Sequence, residues 1–469
     1  MNIKKHIEGL KPFVLAAFVC GVYPFLFFYS NNFDGASSIH QLLYYFLYYI
    51  LSSLASFLIG YTTILKSDVL TKYKYNALFV LIIITTAVLL FRAMGWSFKR
   101  TLFFAVITLF FAVVLSVKYK FQYKKVLIII GVVSLIPLFK NLVYISEYFG
   151  SQSWKTLPDD IENTVFKSQP NIYIIQPDGY VPESLMAKPP YNYNSEIYDW
   201  LKQNSFKVYD SFRSNYPSSL VSNASMFCMK QHKFNESIIP TRGLIKSREI
   251  ICGNNPVIDI LHKNGYYTNF VVQDEYFQSN GSKVKYNKQN VNANEIPYYS
   301  FDNEYKRDVM YDFKNFIIEN EKIQQPKFYF VEVLLPHHIY FQKSLEKDRA
   351  HYVSRINEAN DWLKEAVEFI ETNDENSIIV ILADHGGWLG VENNNDMSST
   401  TDKDKINSIY GTLAAIKWNG HLIENFDADL TTNVNLFRVL FANLSKNKNL
   451  LNHLEDNSSY NLKGGGVWR

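Results

Sequence analysis

The segment NIYIIQPDGYVPESL, residues 171–185, runs as an apolar strand and then sets a carboxylate, Asp178, at its carboxyl end with Gly179 directly behind it. Pro, Asp and Gly are ordinary turn formers, so taken alone the stretch is a strand entering a turn. Its meaning depends on whether other strands end in the same way, and two do. FYFVEVLLPHH (328–338) ends in His337 and His338, and IIVILADHGG (378–387) ends in Asp384, His385 and two glycines.

These three runs lie in an alternating pattern. FKVYDSF, YYTNFVV and GTLAAIKW also read as strands, while NSEIYDWLKQN, NPVIDILHKNG, RINEANDWLKEAVEFIETN and NVNLFRVLFANL read as helices. Strands alternating with helices predict an α/β domain: a central, mostly parallel sheet flanked by helices. In such sheets ligands bind beyond the carboxyl ends of the strands. Any one of these residues could be a turn Asp or a surface His, but three strand ends carrying two carboxylates and imidazoles suit a divalent cation, Zn²⁺ or Mn²⁺, with one position left open. In ADHGG the two glycines are expected to let backbone approach an ion or phosphate closely.

A nucleophile is expected nearby. SNYPSSLVSNASMF (214–227) follows a strand with a turn and offers Ser218, Ser219, Ser222 and Ser225. The plainer reading is a Ser-rich turn with Ser219 capping a helix. A hydroxyl beside a metal ion ionises more readily than a free one, which suits attack on phosphorus without a dedicated base. No G-x-S-x-G elbow surrounds any serine, which argues against a serine hydrolase triad.

The amino-terminal third is a different material. The chain has 469 residues, 48% hydrophobic and 16% aromatic, but apolar runs crowd into 12–30, 41–65, 77–96, 101–117 and 126–145, each close to the ~20 residues that span a bilayer core. The expectation is a transmembrane domain of five helices over 1–145, a polar connector over 146–170, and an exported catalytic domain over 171–469. A cleaved signal peptide fits badly, since apolar segments keep coming. With the amino terminus inside, the cytoplasmic connections hold Lys4, Lys5, Lys11, Lys66, Lys72, Lys74, Lys118, Lys120, Lys124 and Lys125, against Arg92, Lys99 and Arg100 outside. An odd number of crossings then exports everything after the last helix.

The net charge of +3 says little, but the exported part has no basic stripe with interleaved aromatics, so no nucleic acid partner is expected. Cys228 and Cys252 both fall in the exported part, where an oxidising compartment lets them pair; two buried free thiols is the other outcome.

Strand-Asp-Gly-Tyr, FRSNYPSSLVSNAS, LLPHH and LADHGG, in that order behind the membrane segments, resemble the sulfatase-like hydrolase/transferase branch of the alkaline phosphatase superfamily. Its membrane members include lipoteichoic acid synthases and phosphoethanolamine transferases. The resemblance covers residues 171 to about 440, with TNVNLFRVLF fitting the family's closing pattern. It implies an alkaline-phosphatase-like fold, with Asp178, Asp384 and His385 as metal ligands. Ser219 stands where the family has its nucleophile, usually Thr, and Ser218 is the alternative after a one-residue slip. His337 falls where the PH motif contacts the phosphoryl group or leaving oxygen, with His338 next to it as a substrate contact. Formylglycine-forming sulfatases need C/S-x-P-x-R, and SSLVS lacks both the Pro and the Arg. The resemblance therefore implies a bacterial inner-membrane transferase with its catalytic domain periplasmic, a phospholipid donor and an envelope glycan acceptor. A phosphodiesterase or phosphatase, and an inert scaffold in polysaccharide assembly, are the alternatives.

Overall fold

The computed structural model describes residues 3–33, 35–65, 71–150, 155–232, 246–296, 307–340, 344–460 and 467–468. The chain divides into two compact units, Met1–Gly150 and Ser151–Arg469.

The first unit is helical: Ile3–Asn32, Ile39–Leu65, Lys74–Ala93, Phe98–Tyr119 and Tyr123–Phe149. Among the described residues, four stretches are long and apolar enough to cross a membrane. The fourth, Phe98–Phe149, is a run of 52 residues that takes in the last two helices together. A 3-10 turn, Lys120–Gln122, joins them. Large apolar side chains point outwards, Phe98, Val117 and Ile136 being more than 70% exposed, whereas Ala16, Ala17 and Ser53 are fully buried. Polar side chains cross between helices: Ser53 Oγ donates to the Ala17 carbonyl at 2.7 Å, and Asn141 Nδ2 to the Leu26 carbonyl at 3.0 Å. This is how helices associate where the surroundings are as apolar as the side chains.

The second unit is built on a seven-stranded sheet of β1 (Ile172–Pro177), β2 (Lys207–Val208), β3 (Tyr267–Val272), β4 (Lys288–Gln289), β5 (Lys327–Val333), β6 (Ile378–Leu382) and β7 (Ala414–Lys417). The order is β2-β7-β6-β1-β5-β3-β4. β1 pairs in parallel with β5 and β6, and β3 with β5 and β4; only the pairings of β7 with β6 and with β2 are antiparallel. β1 is central, so its neighbours on either side are the two other strands that end in candidate ligands.

Both faces of the sheet are covered, which is why these strands are continuous apolar runs rather than alternating ones. Ile172, Ile174, Ile378, Val380 and Leu382 enter one core layer, with Met226, Phe227 and Phe437. Tyr173, Ile175, Ile379 and Ile381 enter the other, with Ile356, Leu363 and Val367 of the long helix Leu345–Asn373. The expected strand FKVYDSF is reduced to two residues at the sheet edge, because the chain turns after Val208; Phe212 N–H donates to the Tyr209 carbonyl at 3.2 Å.

Two expectations need correction. The connector over 146–170 is not a separate linker: the last apolar helix runs to Phe149, and Leu157, Ile161 and Phe166 are buried in the catalytic core. Asp159 there holds the buried Arg438 guanidinium at 2.7 and 3.1 Å, a two-pronged pair that ties the segment to the helix Leu436–Ser445. A polar composition had concealed three apolar anchors. Cys228 and Cys252 are buried free thiols rather than a disulfide. Cys252 Sγ instead faces the Phe277 carbonyl at 3.4 Å, and burial pushes the Cys228 thiol up to about 12.

Candidate metal centre

The site is assembled by adjacent strand ends. Asp178 follows the last residue of β1, and its N–H extends the ladder to the Val333 carbonyl of β5 at 3.0 Å; His337 N–H then donates to the Asp178 carbonyl at 2.9 Å. Asp384 and His385 follow β6. The donor atoms of Asp178, Asp384 and His385 lie within 4.8 Å of one another, and the same is true of Asp178, His337 and His338. Asp178, Asp384 and His385 are each at most 2% exposed.

The hydrogen bonds around His385 decide what faces the centre. Its Nδ1 is 2.9 Å from the Gly386 carbonyl. A carbonyl can only accept, so Nδ1 carries the proton and Nε2 presents a lone pair, the usual arrangement of a metal-ligating imidazole. That lone pair lies 3.3 Å from Asp178 Oδ1 and 3.4 Å from Asp384 Oδ2, and 3.3 Å from Ser219 Oγ. Among the described residues the buried Asp178 Oδ1 accepts no hydrogen bond. The Ser219 hydroxyl donates to the His385 lone pair, but two carboxylates and that lone pair converging out of solvent repel one another unless a cation stands between them. The residues therefore fit a divalent ion, and the mixed oxygen and nitrogen donors suit Zn²⁺ or Mn²⁺.

Charge is unevenly distributed over the two acids. Burial works against the charged form of Asp178, but its hydrogen bond to His337 and that ring's charge outweigh it and hold the carboxyl below its ordinary value. Burial pushes Asp384 up, with Asp178 adding to the effect. His337 is drawn the other way: burial lowers its proton affinity, and the Asp178 carboxylate more than restores it, so the group ends raised. Burial takes His338 down to about 3, leaving a neutral ring stacked on Trp388 with centroids 3.8 Å apart.

Ser219 is the first residue of the helix Ser219–Cys228, and the capping position belongs to Ser218, which has extended backbone and makes no side-chain cap. The expectation of Ser219 as the cap is thus corrected by one residue. Of the serines proposed, the structure brings Ser219 to the centre. Ser222 and Ser225 turn to backbone instead, Ser222 Oγ donating to the Asp384 carbonyl at 2.7 Å and Ser225 Oγ to the Lys230 carbonyl at 2.9 Å. His337 sits directly on Asp178.

The glycines of ADHGG have another reason than approach to an ion. A Cβ on Gly386 would stand 2.2 Å from the Ser408 carbonyl oxygen, and one on Gly387 2.6 Å from the Tyr352 ring. Gly386 lets the loop lie against the helix Lys403–Tyr410, and Gly387 lets it lie against Tyr352 of the long helix, whose hydroxyl donates to the Gly179 carbonyl at 2.7 Å. Tyr352, Trp388, Gln176 and Asn223 were not picked out from the sequence. Only Trp388, directly after the paired glycines, carried a positional signal there.

The sulfatase family profile matches residues 188–441, more than half of the chain. The chain belongs to the sulfatase family. The match takes in Ser219, His337, His338, Asp384 and His385, and begins after Asp178. The protein is thus a sulfatase-like enzyme with an apolar helical region at its amino terminus. No curated protein matches it significantly. Among solved structures, the integral membrane lipooligosaccharide phosphoethanolamine transferase A (EptA) from Neisseria meningitidis is similar at 13% identity and a TM-score of 0.42, over 92% of this chain and 95% of that one. The C-terminal periplasmic domain of EcEptC from Escherichia coli is similar at 12% identity and 0.44, over 67% and 96%. Its complex with Zn is similar at 12% and 0.40, over 62% and 86%. These likenesses are distant, and the family assignment rests on the sulfatase match alone.

Proposed function

We propose that this enzyme is a membrane-bound, metal-dependent phosphotransferase that moves a phosphoglycerol or phosphoethanolamine group from a phospholipid to a cell-envelope glycan through a phosphoseryl intermediate at Ser219. The observation that carries this reading is the Ser219 hydroxyl, 3.3 Å from the His385 lone pair, at the edge of a buried Asp178, Asp384 and His385 set.

Asp178, Asp384 and His385 would hold a divalent Zn or Mn ion. Such an ion supplies positive charge that lowers the proton affinity of the Ser219 hydroxyl and offsets charge gathering on the phosphoryl oxygens. In the first displacement Ser219 Oγ gives up its proton and bonds to phosphorus, the bond from phosphorus to the diacylglycerol oxygen breaks, and that oxygen takes up one proton, so that none is gained or lost overall. In the second, an acceptor hydroxyl loses its proton and bonds to phosphorus, and Ser219 leaves as the hydroxyl. His337, its proton affinity raised by Asp178, is assigned to the phosphoryl or leaving oxygen, and His338 to substrate contact. Formylglycine chemistry has no place here, since residues 218–222 lack the Pro and Arg it needs.

Membrane anchoring supplies the donor. The 52-residue run Phe98–Phe149 would be about 78 Å long as one helix, far more than a bilayer core of about 30 Å. Its 3-10 turn at Lys120–Gln122, flanked by Lys118, Lys124 and Lys125, supports reading it as two crossings. That makes five crossings in all and puts the catalytic unit on the periplasmic side of the inner membrane.

Incubation with head-group-labelled phosphatidylethanolamine or phosphatidylglycerol tests the function. Label in an envelope glycan is the expected result. Label only in a small soluble product would make the protein a hydrolase, and no turnover of either lipid by metal-replete protein would leave the scaffold reading.

A further inference from the structure

The helix that carries Ser219 meets the sheet through one face. Ser219, Ser222 and Asn223 stand three and four residues apart on it, which places them on the same side. Ser222 Oγ holds the Asp384 carbonyl at 2.7 Å. Asn433 Nδ2 donates to the preceding carbonyl, of Ala383, at 3.0 Å.

Asn223 meets Gln176, two residues before Asp178 and on the same face of β1. The two amides form a closed reciprocal pair: Asn223 Nδ2 donates to Gln176 Oε1, and Gln176 Nε2 donates to Asn223 Oδ1, both at 2.8 Å. Neither side chain has any exposure; the layer that holds them includes Ile174, Met226, Phe227 and Phe330, with the buried Glu332 opposite Gln176 in the β1–β5 register. Burying two amides there gains little over an apolar pair of the same volume, since each hydrogen bond mostly replaces one made to water. What the pair adds is direction. An apolar contact tolerates sliding and rotation of the helix on the sheet, whereas two antiparallel amide bonds hold one arrangement.

We propose that the Gln176–Asn223 pair, together with Ser222 on the Asp384 carbonyl, is a positioning device that sets the Ser219 hydroxyl against the Asp178, Asp384 and His385 donors. It rests on the roles proposed above for those four residues. One amide stands a single helical turn from Ser219 and the other two residues from Asp178, so the pair joins the nucleophile's own turn to the ligand's own strand. Gln176 and Asn223 are positioning residues; neither touches the reacting atoms.

The test uses the full chain loaded with Co²⁺, whose visible spectrum reports the donors around the ion, alongside turnover of labelled phospholipid. Gln176→Asn shortens one arm of the pair and Asn223→Gln lengthens the other. Each alone is expected to shift the cobalt spectrum in the direction that Ser219→Ala does and to lower kcat about 10- to 100-fold, the scale of an ångström-sized misplacement. KM should stay within about twofold and bound cobalt should be unchanged, because the hydroxyl moves while the three protein ligands remain. The double variant Gln176→Asn with Asn223→Gln restores the summed length and should recover both spectrum and kcat. Single variants with the native spectrum and kcat would overturn the proposal, as would a kcat loss that follows the melting temperature or that the double variant does not recover. Should Ser219→Ala itself leave the cobalt spectrum unchanged, the site reading fails and the positioning device with it. A changed Ser219→Ala spectrum beside unaffected pair variants would overturn the device alone.

Discussion

The two units of this chain use apolar residues in opposite ways. In Met1–Gly150, Phe98, Val117 and Ile136 face outwards, while Phe13, Phe57 and Ile82 pack between helices alongside Ala16, Ala17 and the hydrogen-bonded Ser53 and Asn141. In Ser151–Arg469, every residue of β1 and β6 is buried and the sheet is closed on both faces. An apolar run in the first unit therefore leaves one side outward, as suits contact with lipid, and packs the other between helices, whereas in the second unit the strand's apolar residues meet side chains on both faces. Length tells the two apart: the membrane helices run for twenty residues or more, whereas the strands have seven or fewer.

The contrast makes the same kind of substitution unequal across the molecule. The largest effect is expected where charge is buried at the strand ends. Asp384→Asn should lower bound metal and reduce turnover by about three orders of magnitude, the several kcal/mol a bound cation supplies; elemental analysis with a turnover assay checks it, and a metal-replete active variant would remove Asp384 from the site. Next comes packing. Ile174→Ala, in the middle of β1, should cost about 2–5 kcal/mol, whereas Ile136→Ala on an outward face of the last apolar helix should cost less than about 0.5 kcal/mol. Thermal unfolding of both in the same detergent decides whether the two units differ as described, and equal losses would break the comparison.

A smaller effect depends on pH. Burial holds His232 down at about 3, below the ~6.5 of an unfolded histidine. Its folded form thus refuses a proton that the unfolded chain accepts, so the stability it supports is complete above about pH 6.5 and is lost as the pH falls towards 3, by up to about 1.4 kcal/mol per pH unit. His232→Phe keeps a ring to stack on Tyr216, now 4.5 Å away, and should flatten that dependence in melts taken between pH 6.5 and 4. An unchanged slope would mean that His232 is not the group responsible. Smallest of all is Ser53→Ala. Loss of its bond to the Ala17 carbonyl should cost about 0.6 kcal/mol, typical of an interhelical hydrogen bond in a membrane.

Much of the catalytic unit was legible because β1, β5 and β6 are largely apolar runs whose ends carry the candidate ligands, and because those three strands prove to be neighbours. What the sequence concealed has identifiable physical causes. β4 is two residues long and carries no periodicity. Leu157, Ile161 and Phe166 are too widely spaced in a polar segment to announce a buried anchor. The state of Cys228 and Cys252 depends on geometry that spacing does not hold. Gln176 and Asn223 resemble any polar residue in a strand or helix until the fold sets them face to face. The PH motif points His337 at a phosphoryl or leaving oxygen, but its place on Asp178 depends on a backbone turn with φ of 68°, which nothing in LLPHH announces. The number of membrane crossings was harder still, since Phe98–Phe149 is uninterrupted by anything stronger than a lysine-flanked turn.

The most direct measurement of the central claim is peptide mass spectrometry on the full-length, metal-loaded chain, quenched during turnover of a head-group-labelled phospholipid. The account predicts a labelled phosphoryl adduct on the tryptic peptide that contains residues 214–230, localised by fragmentation to Ser219 and absent from Ser219→Ala. An adduct on Ser218, or turnover that proceeds in Ser219→Ala with no adduct anywhere on that peptide, would contradict it.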